Sequence, residues 1–214
     1  PTVPGLFAAM IGTMLAARPF PINWMLEAAS LRDLMRECQV KAVIALGPTE
    51  GFSIWERVQE AVAQWPQSLP VYTLHDPFAE PHPNDLLSSA QGQLGVLNFD
   101  RPVAQRHDVA CYVHSGGTTG SPKLVKLTHQ GFSYKFWANT LVMAHTADDV
   151  IFSDYPMFHI AGFFGRGIMA IADGMQVAGL SYSGQYSFAP TDMYWVYPAQ
   201  SVGTSCPSTT LVQG

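Results

Sequence analysis

Apolar and polar positions in the first part of the chain follow helix and strand periods in turn. Leu31, Leu34, Met35 and Cys38 recur at helical spacing, and Ser30 stands where an N-cap belongs. Residues 41–46 (KAVIAL) form a short, nearly all-apolar run closed by Gly47 and Pro48, the pattern of a strand buried on both faces. Ser53 and Glu56 have capping-box spacing. Ile54, Val58, Val62 and Trp65 then make one helical stripe, and Pro66 ends it. Residues 71–74 (VYTL) are the next strand. This β-α-β order predicts a parallel pair joined by a crossover helix.

The pattern lapses over residues 77–109, which are rich in proline and polar residues and predict a long connection. Only a weak helical signal occurs there, around 86–94. It resumes at 110–114 (ACYVH), a strand entering a glycine-rich turn. A helix is predicted over 128–143, with Phe132, Phe136 and Met143 facing inward. Residues 150–153 (VIFS) predict a strand, and 159–171 an apolar helix stopped by Asp173 and Gly174. Phe158, Phe163 and Phe164 are at helical spacing and are expected in the core, with lining of an apolar ligand pocket as the alternative. Further strands are predicted at 175–180 and 194–197. The expected fold class is α/β, with parallel-rich sheets flanked by helices. It divides into a first α/β part (1–76), the connection (77–109) and a second α/β part (110–214).

Composition narrows the class. Of 214 residues only 13% are charged, about half the usual ~25%, while 48% are hydrophobic. That excludes a disordered chain and fits an interior piece of something larger. The net charge is −5, from 11 basic and 16 acidic residues with no basic run. A nucleic-acid or anionic-membrane partner is therefore not expected. Cys38, Cys111 and Cys206 are too dispersed for a zinc ribbon or a disulfide framework, and read as reduced thiols of a cytoplasmic protein. The uncharged stretch 5–17 is too short to span a bilayer and lacks a basic lead-in, so no transmembrane segment or signal peptide is expected.

Little else suggests chemistry. The seven histidines form no H-E-x-x-H or close ligand cluster, so no metal site is expected from the chain's own residues. No G-x-S-x-G nucleophile elbow occurs. Asp148 and Asp149 are adjacent and point apart, which suits capping the turn into the strand at 150.

The stretch 112–128 (YVHSGGTTGSPKLVKLT) is different. Its three glycines, Gly116, Gly117 and Gly120, let backbone N–H groups approach an anion. Ser115, Thr118, Thr119 and Ser121 offer hydroxyl donors, and Lys123 a mobile positive charge. The pattern suits phosphate; a polar hairpin without ligand is the alternative. It is not a P-loop, because Pro122 intervenes before Lys123 and Leu124 follows it. Nor is it a dinucleotide fingerprint, which needs G-x-G-x-x-G.

The stretch does resemble the S-G-T-T-G-x-P-K-G-V signature of adenylate-forming enzymes, the superfamily of acyl-CoA synthetases, luciferases and peptide-synthetase adenylation domains. Here it stands as SGGTTGSPKLV, with Gly117 as an extra glycine and Leu124 where glycine is usual; the H-S-G-G-T-T-G form looks like the acyl-CoA synthetase branch. Two further segments agree. Residues 155–162 (YPMFHIAG) resemble the family's P-[LM]-F-H-x-x-G segment. Pro21, Ile22 and Asn23, followed by Leu26 and Glu27, look like its N-P-I-N-P-L-L-E stretch, with Phe20 where Asn is usual.

The resemblance implies that the chain is part of the large N-terminal domain of an acyl-CoA synthetase, an incomplete adenylate-forming domain without its C-terminal lid. The implied substrates are ATP, a carboxylic (fatty) acid and coenzyme A, with Mg2+ as cofactor. The β- and γ-phosphates of ATP would be held by Ser115, Gly116, Gly117, Thr118, Thr119, Gly120 and Lys123. His159 would line or gate the acyl pocket; a capping or core role is the alternative. His114, just before the loop, is a candidate for orienting it. The family's Y-G-x-T-E segment, ribose-binding Asp and lid lysine are not found, so this piece alone is expected to be inactive. Two other functions stay open: a non-catalytic nucleotide- or anion-binding fragment, and an adenylation domain that loads a carrier protein.

Overall fold

The computed structural model describes residues 3–75, 80–90, 104–115, 122–153, 155–182 and 193–195. Among them, α1 (Pro4–Ala16) has no counterpart in the expectations from sequence. It carries no charge and shows no single apolar stripe, because it packs on two sides. Val3 and Ala9 join one core cluster with Ala45, Leu46, Ile54, Val58 and Leu74. Phe7 and Met10 join another with Cys111, Val113, Met157, Phe163 and Phe164. A helix buried on several faces loses the amphipathic signature.

The first α/β part follows the predicted order. Helix α2 (Ala28–Glu37) buries Ala28, Leu31, Leu34 and Met35. It starts before Ser30: the N-cap is Glu27, whose carbonyl accepts from the Leu31 N–H at 3.0 Å. Packing of Ala28 and Leu31 on Ala61 draws that extra turn into the helix. Strand β1 (Val43–Leu46) and β2 (Val71–Leu74) pair in parallel, Val43 opposite Val71, with α3 (Ile54–Ala63) between them in sequence. The capping box at the start of α3 is not made. Ser53 has φ −93° and ψ 23°, away from the extended conformation that aims a cap side chain, and its side chain makes no capping bond.

The connection after β2 is tied down by a buried carboxylate. Asp85 is fully buried and accepts from the His75 Nδ1–H at 2.7 Å and the Ser88 N–H at 2.8 Å. The second bond caps α4 (Leu86–Ala90), a short helix within the stretch of weak helical signal.

In the second part, β3 (Val109–His114) and β4 (Leu124–Thr128) form an antiparallel hairpin, with His114 opposite Leu124 and a bulge between Val109 and Cys111. Helix α5 (His129–Met143) follows, capped by the Thr128 hydroxyl, which accepts from the Gly131 N–H at 3.1 Å. Phe132 and Phe136 pack inward as expected, but Met143 is 65% exposed. One turn beyond Phe136 the inward position belongs to Thr140, which donates to the Asp173 carboxylate at 3.1 Å. Strand β5 (Val150–Ser153) pairs in parallel with β6 (Gln176–Tyr182), and β6 pairs antiparallel with β7 (Met193–Trp195). Asp149 caps the turn before β5 by accepting from the Thr146 N–H at 2.7 Å. The sheets thus mix parallel pairs with an antiparallel hairpin that carries the glycine-rich turn.

The predicted helix after His159 is present, but Ala161–Ile168 is wound as a π-helix, continued by α6 (Met169–Ala172). Gly162 fits where a side chain could not: a Cβ there would overlap the Pro156 carbonyl and lie 2.8 Å from the Tyr155 carbonyl oxygen. The helix therefore sits directly on the backbone of the preceding segment. Its own Phe163 and Phe164 are buried as expected, whereas Phe158 is only half-buried and lines an apolar cleft.

Candidate active site

Strand β3 delivers the glycine-rich turn. Its inward residues, Ala110, Cys111 and Val113, are buried and fix its position. Burial pushes the Cys111 thiol up to about 12, so this cysteine is a packing residue rather than a nucleophile. The neck of the turn is closed by two bonds. The Ser115 N–H donates to the Lys123 carbonyl at 2.9 Å, and the Lys123 N–H donates to Ser115 Oγ at 3.0 Å. Since Oγ accepts here, the Ser115 O–H is still able to donate to a ligand. The Lys123 side chain is exposed. Gly116, Gly117, Thr118, Thr119 and Gly120, the other residues expected to hold phosphate, lie outside the described residues.

The segment leading out of α1 runs along the other edge of β3. The Tyr112 N–H donates to the Pro19 carbonyl at 3.0 Å, and Arg18 Nε donates to the Val109 carbonyl at 3.1 Å. Pro21, Ile22 and Asn23 thereby reach the neck. There the Asn23 N–H donates to His114 Nε2 at 3.0 Å, while His114 Nδ1 lies 3.0 Å from the Ser115 carbonyl. Because Nε2 accepts, the ring proton is on Nδ1 and is donated to Ser115. The Phe20 ring meets the imidazole edge-on at 6.4 Å.

The third segment arrives from β5. Met157 is buried, and Phe158 stacks on His114, with centroids 6.5 Å apart and planes 17° apart. His159 is exposed. Its Nδ1 accepts from the Ala161 N–H at 3.2 Å, so it caps the helix, and its ring stacks on Tyr155 at 6.2 Å. Arg166 places its guanidinium 5.9 Å from the Tyr155 ring. The structure therefore brings together Asn23, the pair His114 and Ser115 with Lys123, and Phe158, one group from each of the three sequence segments. It also shows that His114 sits where they meet, a contact that spacing alone could not supply. An apolar cleft of about 1650 Å³ opens beside them, with Met10, Met14, Phe20, Ile22, Met25 and Phe158 among its lining. Among the described residues no cluster of His, Cys, Asp or Glu could hold a metal ion, and no helix is long and apolar enough to cross a membrane.

Known proteins resemble this chain in sequence and in fold. Marinolic acid–CoA ligase of Pseudoalteromonas is 21% identical over 197 residues, covering 88% of this chain and 29% of the ligase. The salicyl-AMP ligase/salicyl-S-ArCP synthetase of Mycobacterium tuberculosis is 28% identical over 148 residues, covering 67% of this chain and 25% of that protein. The chain thus spans less than a third of the length of these relatives. The crystal structure of ATP-bound MatB from Rhodopseudomonas palustris has the same fold at 18% identity, with a TM-score of 0.66 over 87% of this chain and 33% of that one. The model of the AMP-binding enzyme family matches residues 1–192. The chain belongs to the AMP-binding enzyme family, the adenylate-forming enzymes whose signature surrounds Ser115 and Lys123.

Proposed function

We propose that the protein of which this chain forms part is an acyl-CoA synthetase working in the cytoplasm. The convergence of the three motif segments on the neck of the glycine-rich turn is the observation that carries this reading. In the first step a carboxylate oxygen attacks the α-phosphorus of ATP. The bond to the bridging oxygen breaks, giving acyl-AMP and pyrophosphate. In the second, the thiol of coenzyme A attacks the acyl carbon and AMP leaves.

The turn's task is to hold the β- and γ-phosphates while negative charge grows on the departing pyrophosphate. Backbone N–H groups of Gly116, Gly117 and Gly120, hydroxyls of Ser115, Thr118 and Thr119, and the Lys123 ammonium suit that task. Magnesium, bound with the nucleotide, would neutralise part of the same charge. The closed neck supports the role of Ser115, since it leaves that hydroxyl able to donate. His159 is proposed to line the entry of the acid, next to an apolar cleft that suits an acyl or aryl group. Its capping bond also supports the structural alternative.

A second reading has its own support. The relatives include the salicyl-AMP ligase/salicyl-S-ArCP synthetase beside the CoA ligases, so the alternative takes an aryl acid and a carrier-protein thiol as acceptor. Acid-dependent exchange of labelled pyrophosphate into ATP, measured on the full-length protein with fatty and aryl acids, tests the shared first step. Supplying coenzyme A or a carrier protein then separates the two readings. ATP binding without exchange for any acid would instead favour a non-catalytic nucleotide-binding protein.

A further inference from the structure

His114 has both ring nitrogens and one ring face engaged, each by a different segment of the site. Nε2 accepts from the Asn23 N–H, Nδ1 donates to the Ser115 carbonyl, and the face stacks on Phe158. Ser115 is also the residue that closes the neck on Lys123. We infer that His114 is a positioning residue that couples binding of phosphate at Ser115 and Lys123 to the placement of Phe158 and, through it, to the acid side of the site. This rests on the nucleotide reading proposed above.

The physical route is short. A phosphate ligand drawn to the Ser115 hydroxyl and the Lys123 ammonium pulls on Ser115, and the Ser115 carbonyl holds the imidazole through a directional bond. The Asn23 N–H prevents the ring from simply rotating away, because rotation would forfeit that bond too. The ring then tilts, and Phe158 follows it because the two planes are stacked. Phe158 is covalently next to His159, so the movement reaches the acid side without any larger rearrangement. A side chain that only filled space would offer Phe158 the same surface but would not be steered by Ser115.

Two measurements on the full-length protein test this. Imidazole nitrogen chemical shifts should show His114 protonated at Nδ1 and bare at Nε2; the opposite tautomer overturns the proposal whatever any variant does. Titration with tripolyphosphate should then move the Phe158 ring signals together with those of Ser115. His114→Phe keeps an aromatic face for Phe158 and removes both hydrogen bonds. In that variant tripolyphosphate should still move Ser115, and the response of Phe158 should be lost. An undiminished Phe158 response in His114→Phe overturns the coupling and leaves the nucleotide reading standing. Absence of any tripolyphosphate response in the full-length wild-type protein overturns the nucleotide reading and the coupling with it.

Discussion

Ser115 and Lys123 hold each other across the neck of the glycine-rich turn through the Ser115 N–H, the Lys123 carbonyl, the Lys123 N–H and Ser115 Oγ. Lys123 contributes only backbone atoms to this clasp, so its ammonium is not needed for closing it. Structural and ligand roles can therefore be separated at this residue.

Lys123→Ala should leave the neck and the melting temperature unchanged while slowing adenylation by the full-length protein. A charge-assisted phosphate contact is worth about 1.5–3 kcal/mol, so a drop of ~10–100-fold is expected. Acid-dependent pyrophosphate exchange measures it. A wild-type rate would remove Lys123 from the site.

His159→Ala should act on two readouts at once. Loss of the cap on the Ala161 N–H should lower stability by about 0.5–2 kcal/mol, read from denaturant unfolding. If the ring also lines the acid entry, the Michaelis constant for the acid or the chain-length preference should change. The constant for ATP should stay within about twofold, as expected when only one substrate loses a contact. A stability loss with unaltered acid preference would leave the capping role alone.

Asp85 should govern acid stability. Burial alone would raise its carboxyl, but the hydrogen bonds from His75 and Ser88 outweigh that and hold it below its ordinary value. A carboxyl depressed in the folded state contributes stability that is fully present above its unfolded value of about 3.9 and is lost as pH falls through the lower folded value. Asp85→Asn should thus cost about 1.5–3 kcal/mol near neutral pH. The gap to wild type should close on acidification below that range. A gap that stays constant down to the acid transition would show that the carboxylate's charge is not what stabilises the fold.

Gly162→Ala should destabilise the chain by about 1–3 kcal/mol, toward the upper end because the added methyl meets backbone carbonyls that cannot swing aside. Gly165→Ala, whose added methyl would stand in open space, is the control and should be tolerated far better. Thermal unfolding of both variants gives the comparison.

The periodic helices were legible because each keeps an exposed polar face beside its buried one. α3 buries Ile54, Val58 and Ala61 while Glu56, Gln59 and Glu60 are exposed, and it ends before Trp65. The KAVIAL and VYTL runs pair in parallel, but Ile44 is exposed, so β1 is not buried on both faces as expected. α1 was illegible for the opposite reason: it feeds two cores and has no polar side to reveal its period. The π-winding of Ala161–Ile168 was hidden too, since it follows from contact of Gly162 with the backbone of Tyr155 and Pro156 rather than from any spacing. In the site, the glycine turn and the YPMFH segment announced themselves as motifs. The use made of His114 did not, because its partners Asn23 and Phe158 are far away in sequence and are joined to it only by folding.

The position of α1 between two clusters has a consequence for unfolding. Leu6 packs against both clusters, with Val3 and Ala9 on one side and Phe7 and Met10 on the other. Opening either cluster strips one side of this helix and weakens its hold on the other, which couples the β1–β2 unit to the glycine-turn unit. Heat should take both apart in one cooperative transition.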